Sequence, residues 1–308
     1  GLTGLVRNPV QLLVVRALQG FFTGTPAAAS ALVATGTPKD RMAFALGMVQ
    51  TALFIGSSLG PMMGGYVADA HGYRAMFYVS SLIVFVCVFL VLFLISEPAE
   101  SKAVAARARM ESPLSAFRSD VAVRSVALLI TFSLVVNLTF GLIGPVLPIF
   151  IQQLVTNPDR LASTAGTISG VAAFSAALAA LVIGRLSDAI GHRKILLICG
   201  AGLGLTYIPQ ALARTTLFLG IVRTAQGLFQ GGISPSSSAM LVNRASKERA
   251  GAALGLSTSA SGVGYALGPL LGAGLMAVTS APVVFLVAGA LFIVMTLALA
   301  TLDREAEA

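Results

Sequence analysis

Residues 184–194 read Gly184-Arg-Leu-Ser-Asp188-Ala-Ile-Gly191-His-Arg193-Lys194, a short charged turn between two long apolar runs. A second stretch, Gly65-Tyr-Val-Ala-Asp69-Ala-His-Gly72-Tyr-Arg74, has the same spacing, and both reduce to G-x-x-[AS]-D-A-x-G-x-R. Around these turns the chain is poor in charge. Of its 308 residues only 10% are charged and 56% are hydrophobic, whereas soluble domains carry about 25% charged residues. Mean hydropathy is +0.89. This composition excludes most soluble enzymes, disordered chains and disulfide scaffolds, and it sets the two turns between membrane-crossing helices. A net charge of +8 would suggest nucleic acid in a soluble protein. In a membrane protein it reads as basic loops on the cytoplasmic side, with no nucleic-acid partner. Cys87 and Cys199 lie in apolar runs, and no disulfide or metal framework is readable from them.

A membrane helix needs about 20 mostly apolar residues. Nine such stretches extend outward from the two turns, at 10–32, 44–68, 74–95, 123–155, 162–184, 194–213, 215–242, 250–278 and 281–301. Arg7, Arg74, Arg160 and Arg214 fall on one side of the spans. Fourteen basic residues fall on the other, among them Lys39, Arg41, Arg185, Arg193, Lys194 and Arg304. The richer side is expected to be cytoplasmic, which puts the C-terminus inside and residue 1 outside. Residues 96–122 form a polar linker of unusual length for a compact domain. The expected division is therefore 1–95 as three helices, 96–122 as a cytoplasmic linker, 123–301 as a six-helix half and 302–308 as a cytoplasmic tail.

The odd number of spans has a source in an internal repeat. Arg16-Ala-Leu-Gln19-Gly20 returns 207 positions later as Arg223-Thr-Ala-Gln226-Gly227. Lys39-Asp40-Arg41 returns as Lys247-Glu248-Arg249, and Gly56, Gly60, Pro61 and Gly64 return as Gly264, Gly268, Pro269 and Gly272, at an offset of 208. The chain thus holds two copies of one unit. The first copy lacks about 84 residues at its front, enough for about three helices. The whole is expected to be twelve spans in two halves, with the N-terminal end truncated. The shorter repeat at 65–74 and 184–193 falls on opposite sides of the membrane, as an inverted three-helix repeat within each half would produce.

These residues resemble the major facilitator superfamily. The 184–194 stretch is similar to its loop signature, and Arg16-Ala-Leu-Gln-Gly20 to its fourth-helix signature. Gly56-Ser-Ser-Leu-Gly60-Pro61-Met-Met-Gly64-Gly65 is similar to the fifth-helix motif that marks the antiporter branch, and Gly144-Pro145-Val-Leu-Pro148 to the proline-bearing first and seventh helices of drug:proton antiporters. The resemblance implies an all-α membrane protein with the major facilitator fold, of which helices four to twelve are present. It also implies a proton-coupled exporter of lipophilic drugs or toxic metabolites in a bacterial inner membrane, acting as a monomer. No cofactor is expected, the proton gradient being the energy source. A facilitator relative handling a sugar, amino acid or siderophore is the alternative. A membrane-embedded enzyme is disfavoured, because H-E-x-x-H and a buried acid pair are missing from the sequence.

Three constellations are candidates for function. In the loop signature, Gly191 suits a left-handed turn after a helix end. Asp188 can pair with Arg193 or cap a helix N-terminus, where the dipole favours an anion. By the resemblance, Gly184, Asp188, Gly191 and Arg193 form a cytoplasmic latch at the start of the 44–68 helix. A plain basic turn that only sets topology is the bland alternative. The glycine ladders, Gly56, Gly60 and Gly64 with Pro61 and their repeat, lie four apart on one helix face each. They allow close helix approach, either as packing or as a gating interface. The intramembrane arginines are the sharpest feature, since arginine near mid-span costs at least about 2.5 kcal/mol.

Arg16 and Arg223 lie about two turns from the outer ends of their helices and could snorkel outward. Yet each heads a polar stripe: Arg16, Gln19, Thr23 and Ser30, then Arg223, Gln226, Gln230, Ser234 and Ser237. Such a stripe is expected to face a watery cavity. By the resemblance, these helices and the one bearing Ser133, Asn137, Phe140 and Gly144 line the central path. Phe21, Phe22, Phe132, Phe140, Phe174 and Phe229 are candidates for apolar lining, of which two or three are expected to serve. All twelve acidic residues lie in loops or at span ends. A proton-carrying carboxylate is therefore expected in the segment ahead of residue 1, and His71 and His192 read as surface groups.

Overall fold

The computed structural model describes residues 1–21, 29, 32–33, 42–94, 124–244 and 250–302. Thr23, Ser30, the 96–122 linker and the loop triplets around Lys39 and Lys247 lie outside them. Among the described residues the regular elements are all helical. In chain order they are α1 (Leu2–Leu5), α2 (Pro9–Phe21), α3 (Met42–Leu94), α4 (Arg124–Leu154), a 3-10 turn (Pro158–Arg160), α5 (Leu161–Ile190), α6 (His192–Ala211), α7 (Thr216–Arg244), α8 (Ala250–Val278) and α9 (Ala281–Leu302). Six of these helices are long and apolar enough to cross a membrane. One apolar stretch, Ala52–Phe93, runs 42 residues, twice what one crossing needs. It is two crossings, because α3 breaks at Gly72 with φ 83 and ψ 161. The expected span at 215–242 forms α7 but is not among the six. Its stripe of Gln, Ser and Arg lowers its hydropathy, as it does for helices that line a polar path.

Gly72 and Gly191 are the positive-φ glycines among the described residues, and they occupy equivalent places in the short repeat. Gly191 has φ 105 and ψ 131. Neither is the compact left-handed turn expected for Gly191. Both lie toward the extended positive-φ region open in practice to glycine alone. The reason is that one residue joins two helices directly: α5 ends at Ile190 and α6 begins at His192.

The chain divides into two compact units: Gly1–Glu111 with Asp159–Thr167, and Ser112–Pro158 with Ile168–Ala308. In that unit α1 packs on the second arm of α3, where a Cβ on Gly4 would meet the Tyr78 ring. Further along that arm Leu82, Phe85, Leu92 and Phe93 are all exposed.

In the second unit α8 lies along α4, and α6 packs against both α7 and α9. Membrane helices gain little from apolar burial against one another, so close backbone approach holds them together. The second glycine ladder supplies it. A Cβ on Gly264, Gly268 or Gly272 would strike the carbonyl oxygen of Leu134, Leu138 or Leu142 respectively. Both rows advance four residues at a time in the same direction, so α4 and α8 run parallel with the register locked turn by turn. On the other side of α4, aromatic rings interlock. Phe140 meets Phe292 edge-on at 6.0 Å and Phe150 meets Phe285 at 5.3 Å, with fully buried Tyr207 of α6 beside both α9 rings.

Candidate functional site

A cavity of about 160 Å³ opens in the second unit between α4, α7 and α8. Its polar lining is Ser133 and Asn137 from α4, Ser234, Ser237 and Ser238 from α7, and Ser257, Thr258 and Ser261 from α8, with Phe132, Val136, Ile233 and Leu254 supplying the apolar remainder. None of these groups ionises. Several hydroxyls are already engaged along their own helices: Ser133 Oγ donates to the Leu129 carbonyl at 3.1 Å, and Thr258 Oγ1 to the Leu254 carbonyl at 2.9 Å. Ser257 Oγ donates across to Ser133 Oγ at 2.8 Å, joining α8 to α4. Asn137 Nδ2 donates to the Ser133 carbonyl at 2.9 Å.

The structure distributes the expected cavity residues over three places. Asn137 lines the cleft. Phe140, one turn further on, turns to Phe292 of α9. Arg223 and Gln226 face α6 and not the cleft: Arg223 Nη1 donates to Gln210 Oε1 at 3.3 Å, and Gln226 is 3% exposed. The Tyr207 hydroxyl faces both of them. Among the described residues, Arg223 Nε and Gln226 Nε2 are buried without a hydrogen-bond partner. Gln230 is exposed. The stripe reads as continuous on a helical wheel, but a wheel omits depth. α6 stays beside α7 as far as Gly232, which lies against Cys199, and the α7 residues that line the cleft begin at Ile233. In the first unit Arg16 is exposed and donates to Gln19 Oε1 at 3.1 Å. Of the aromatic candidates, Phe132 lines the cleft, Phe229 lies against Gly202 of α6, and Phe174 is exposed.

At the 184–194 turn, Ser187 is 2% exposed. Its Oγ lies 2.8 Å from His192 Nδ1 and 3.0 Å from Ser236 Oγ, tying the turn to α7. Arg193 Nη2 donates to the Ala300 carbonyl at 3.2 Å, near the C-terminus of α9, where the dipole favours a cation. His192 is thus half-buried and not a bare surface group, while His71 is exposed. Gly184 has open space around its Cα. The Asp188 side chain, and with it the expected latch, lies outside the described residues.

At the equivalent turn, 65–74, the aspartate does meet a helix N-terminus. The Asp69 carboxylate accepts from the backbone N–H of Ala162 at 2.9 Å and of Ser163 at 2.7 Å. These are first-turn donors of α5, which have no partner inside their own helix. Burial raises the Asp69 pKa, but hydrogen bonds from the Ser163 side chain and from the two backbone groups outweigh it and hold the carboxyl below its ordinary 3.8. The antiporter-like motif leads into this contact. Pro61 and Gly65 meet Gly166 and Ala162 of α5 backbone to backbone, while Gly64 faces Met76 of the second α3 arm. Among the described residues, Gly56 and Gly60 have nothing within 4 Å of where a Cβ would stand, so the two ladders differ there: the second is packed on α4, and these two glycines are not.

Sequence reasoning did not single out Asp69, although the ten-residue repeat contained it at the position of Asp188. Nor did it single out Ser238, Ser257, Thr258 or Ser261, because small hydroxyl residues are common in membrane helices and only convergence distinguishes these. Among the described residues no group of three or more His, Cys, Asp or Glu is placed to hold a metal ion.

A family model described as Major Facilitator Superfamily matches residues 1–159 and 129–308. The chain is also 33% identical over 286 residues to the Multidrug resistance protein MdtG of Escherichia coli O1:K1 / APEC, covering 93% of this chain and 69% of that protein. The proteins of the same name from strains K12 / DH10B and SE11 match to the same extent.

Proposed function

Since the chain belongs to the major facilitator superfamily, a family of multi-pass membrane transporters and not of enzymes, we propose that it serves proton-coupled efflux of lipophilic drugs or toxic metabolites. The observation that carries this reading is the backbone-to-backbone contact of Pro61 and Gly65 of α3 with the first two turns of α5, together with the similarity to multidrug resistance proteins. Alternating access rocks two halves about a midplane site. In this reading the 65–74 turn closes the outer face and the 184–194 turn the inner one. The site is the membrane of a bacterial cell, the inner one where there are two, with the C-terminus in the cytoplasm. The working form is a monomer, and protons and a small molecule are its partners.

Arg16 then acts as a fixed positive charge that favours the ionised form of a nearby carboxylate and so tunes where its proton is released. Everted membrane vesicles carrying a pH gradient and a fluorescent pH reporter test this. Adding a lipophilic drug should dissipate the gradient in vesicles with the protein and not in those without it. A gradient that responds only to a sugar or an amino acid would overturn the proposal.

A further inference from the structure

The cleft between α4, α7 and α8 bears on what is exported. Its volume of about 160 Å³ is near the ~150 Å³ in which a protein interior holds one benzene ring. It therefore takes one ring-sized or chain-sized part of a molecule. An ion entering it would leave water for a site whose lining carries no countercharge, which is costly.

The two walls differ in hydrogen-bonding character. On the α4–α8 wall three of the four hydroxyl protons are committed: Ser133 donates to Leu129, Ser257 to Ser133, and Thr258 to Leu254. Asn137 spends an amide proton on the Ser133 carbonyl and keeps its Oδ1 to accept. This wall therefore offers mainly lone pairs. On the α7 wall, Ser237 is 8% exposed and its hydroxyl makes no hydrogen bond among the described residues. A nearly buried hydroxyl without a partner is a donor that a ligand can satisfy.

We infer that this cleft binds a neutral hydrogen-bonding group of the exported molecule, an alcohol or amide that donates to the Ser257–Thr258 wall and accepts from Ser237. Cationic groups are excluded from it. The inference rests on the efflux reading and names the class of group that reading leaves open.

Three probes of known chemistry test it in a pump-deficient bacterial host. Thiamphenicol is neutral and carries hydroxyls. Florfenicol is the same molecule with one hydroxyl exchanged for fluorine. Tetraphenylphosphonium is a cation without any hydrogen-bond donor. Export of each is measured for the unmutated protein and for Ser237→Ala, Ser257→Ala and Ser237→Thr, each normalised to its abundance in the membrane.

The expected result is that the two alanine variants lose about three- to tenfold of thiamphenicol export, the worth of one or two neutral hydrogen bonds, with florfenicol, which keeps an alcohol and an amide, losing no more than that and tetraphenylphosphonium within about twofold. Ser237→Thr keeps the hydroxyl and should retain export. The inference is overturned if the alanine variants reduce all three probes alike, if they spare thiamphenicol, or if tetraphenylphosphonium suffers most. If the unmutated protein exports none of the three, the efflux reading itself fails, and this inference with it.

Discussion

Asp69 allows a prediction whose size follows from the geometry. Its carboxylate takes two backbone N–H groups at 2.9 and 2.7 Å in the first turn of α5. Those donors otherwise have only water. Replacing an N-terminal capping group costs about 0.5–2 kcal/mol, and losing a negative charge at a helix N-terminus costs about 0.3–1 kcal/mol. Asp69→Asn keeps one acceptor oxygen and loses the charge, so about 1 kcal/mol is expected. Asp69→Ala loses everything, so about 2 kcal/mol is expected. Because 1.4 kcal/mol is a factor of ten, these become roughly fivefold and roughly thirtyfold more opening of the contact.

Amide hydrogen exchange over residues 159–167 reads this opening directly. Exchange there should accelerate by roughly those factors, while the 170–183 stretch of the same helix stays unchanged. Acidity should act in the same direction. The carboxyl is held below its ordinary value of 3.8, so the contact is fully present above that value and is lost as pH falls through the depressed one. After correction for intrinsic exchange, protection should be flat from about pH 8 to 5 and should fall only below about pH 4. Unchanged exchange in Asp69→Ala, or acceleration spread evenly along α5, would refute the reasoning.

Other predictions separate packing from function. Gly268→Ala puts a Cβ 2.5 Å from the Leu138 carbonyl oxygen, and overpacking of this kind costs about 1–3 kcal/mol, visible as a lower melting temperature in detergent. Gly60→Ala meets nothing among the described residues and should hold or raise that temperature, since alanine is the better helix former by up to about 1 kcal/mol. Loss of coupling in a well-folded Gly60→Ala variant would then show gating. Arg223→Met leaves the Oε1 of fully buried Gln210 without its donor and should cost about 1–3 kcal/mol, read by melting. Ser187→Ala deprives buried Ser236 of its partner and should cost about 1–3 kcal/mol, again read by melting.

How much was legible depends on whether a feature repeats. The two turns, the paired arginine signatures and the glycine ladders each occur twice, and repetition distinguishes them from ordinary Gly/Ala-rich membrane sequence. Gly72 and Gly191 then take positive φ at matching places, as the shared motif leads one to expect. The hydroxyl cleft occurs once and draws on three helices distant in sequence, so no spacing rule announces it. The α7 stripe was visible as a stripe, but its periodicity could not say that Arg223 and Gln226 turn to Gln210 and Tyr207 while Ser234 and Ser237 turn to the cleft.

By itself the sequence determined that the chain is helical, lies in a membrane, and is built from two copies of a unit with inverted turns. These follow from composition and period, which act residue by residue and need no partner. Only the tertiary structure decided which face of each helix meets which neighbour. It made Gly264, Gly268 and Gly272 a packed ladder and gave Gly56 and Gly60 no such contact among the described residues. It placed Asp69 on the first turn of α5 and gathered eight polar side chains with no formal charge into one cavity. The physical reason is that helix propensity and hydropathy are local, whereas backbone approach and hydrogen-bond partnership depend on two surfaces meeting.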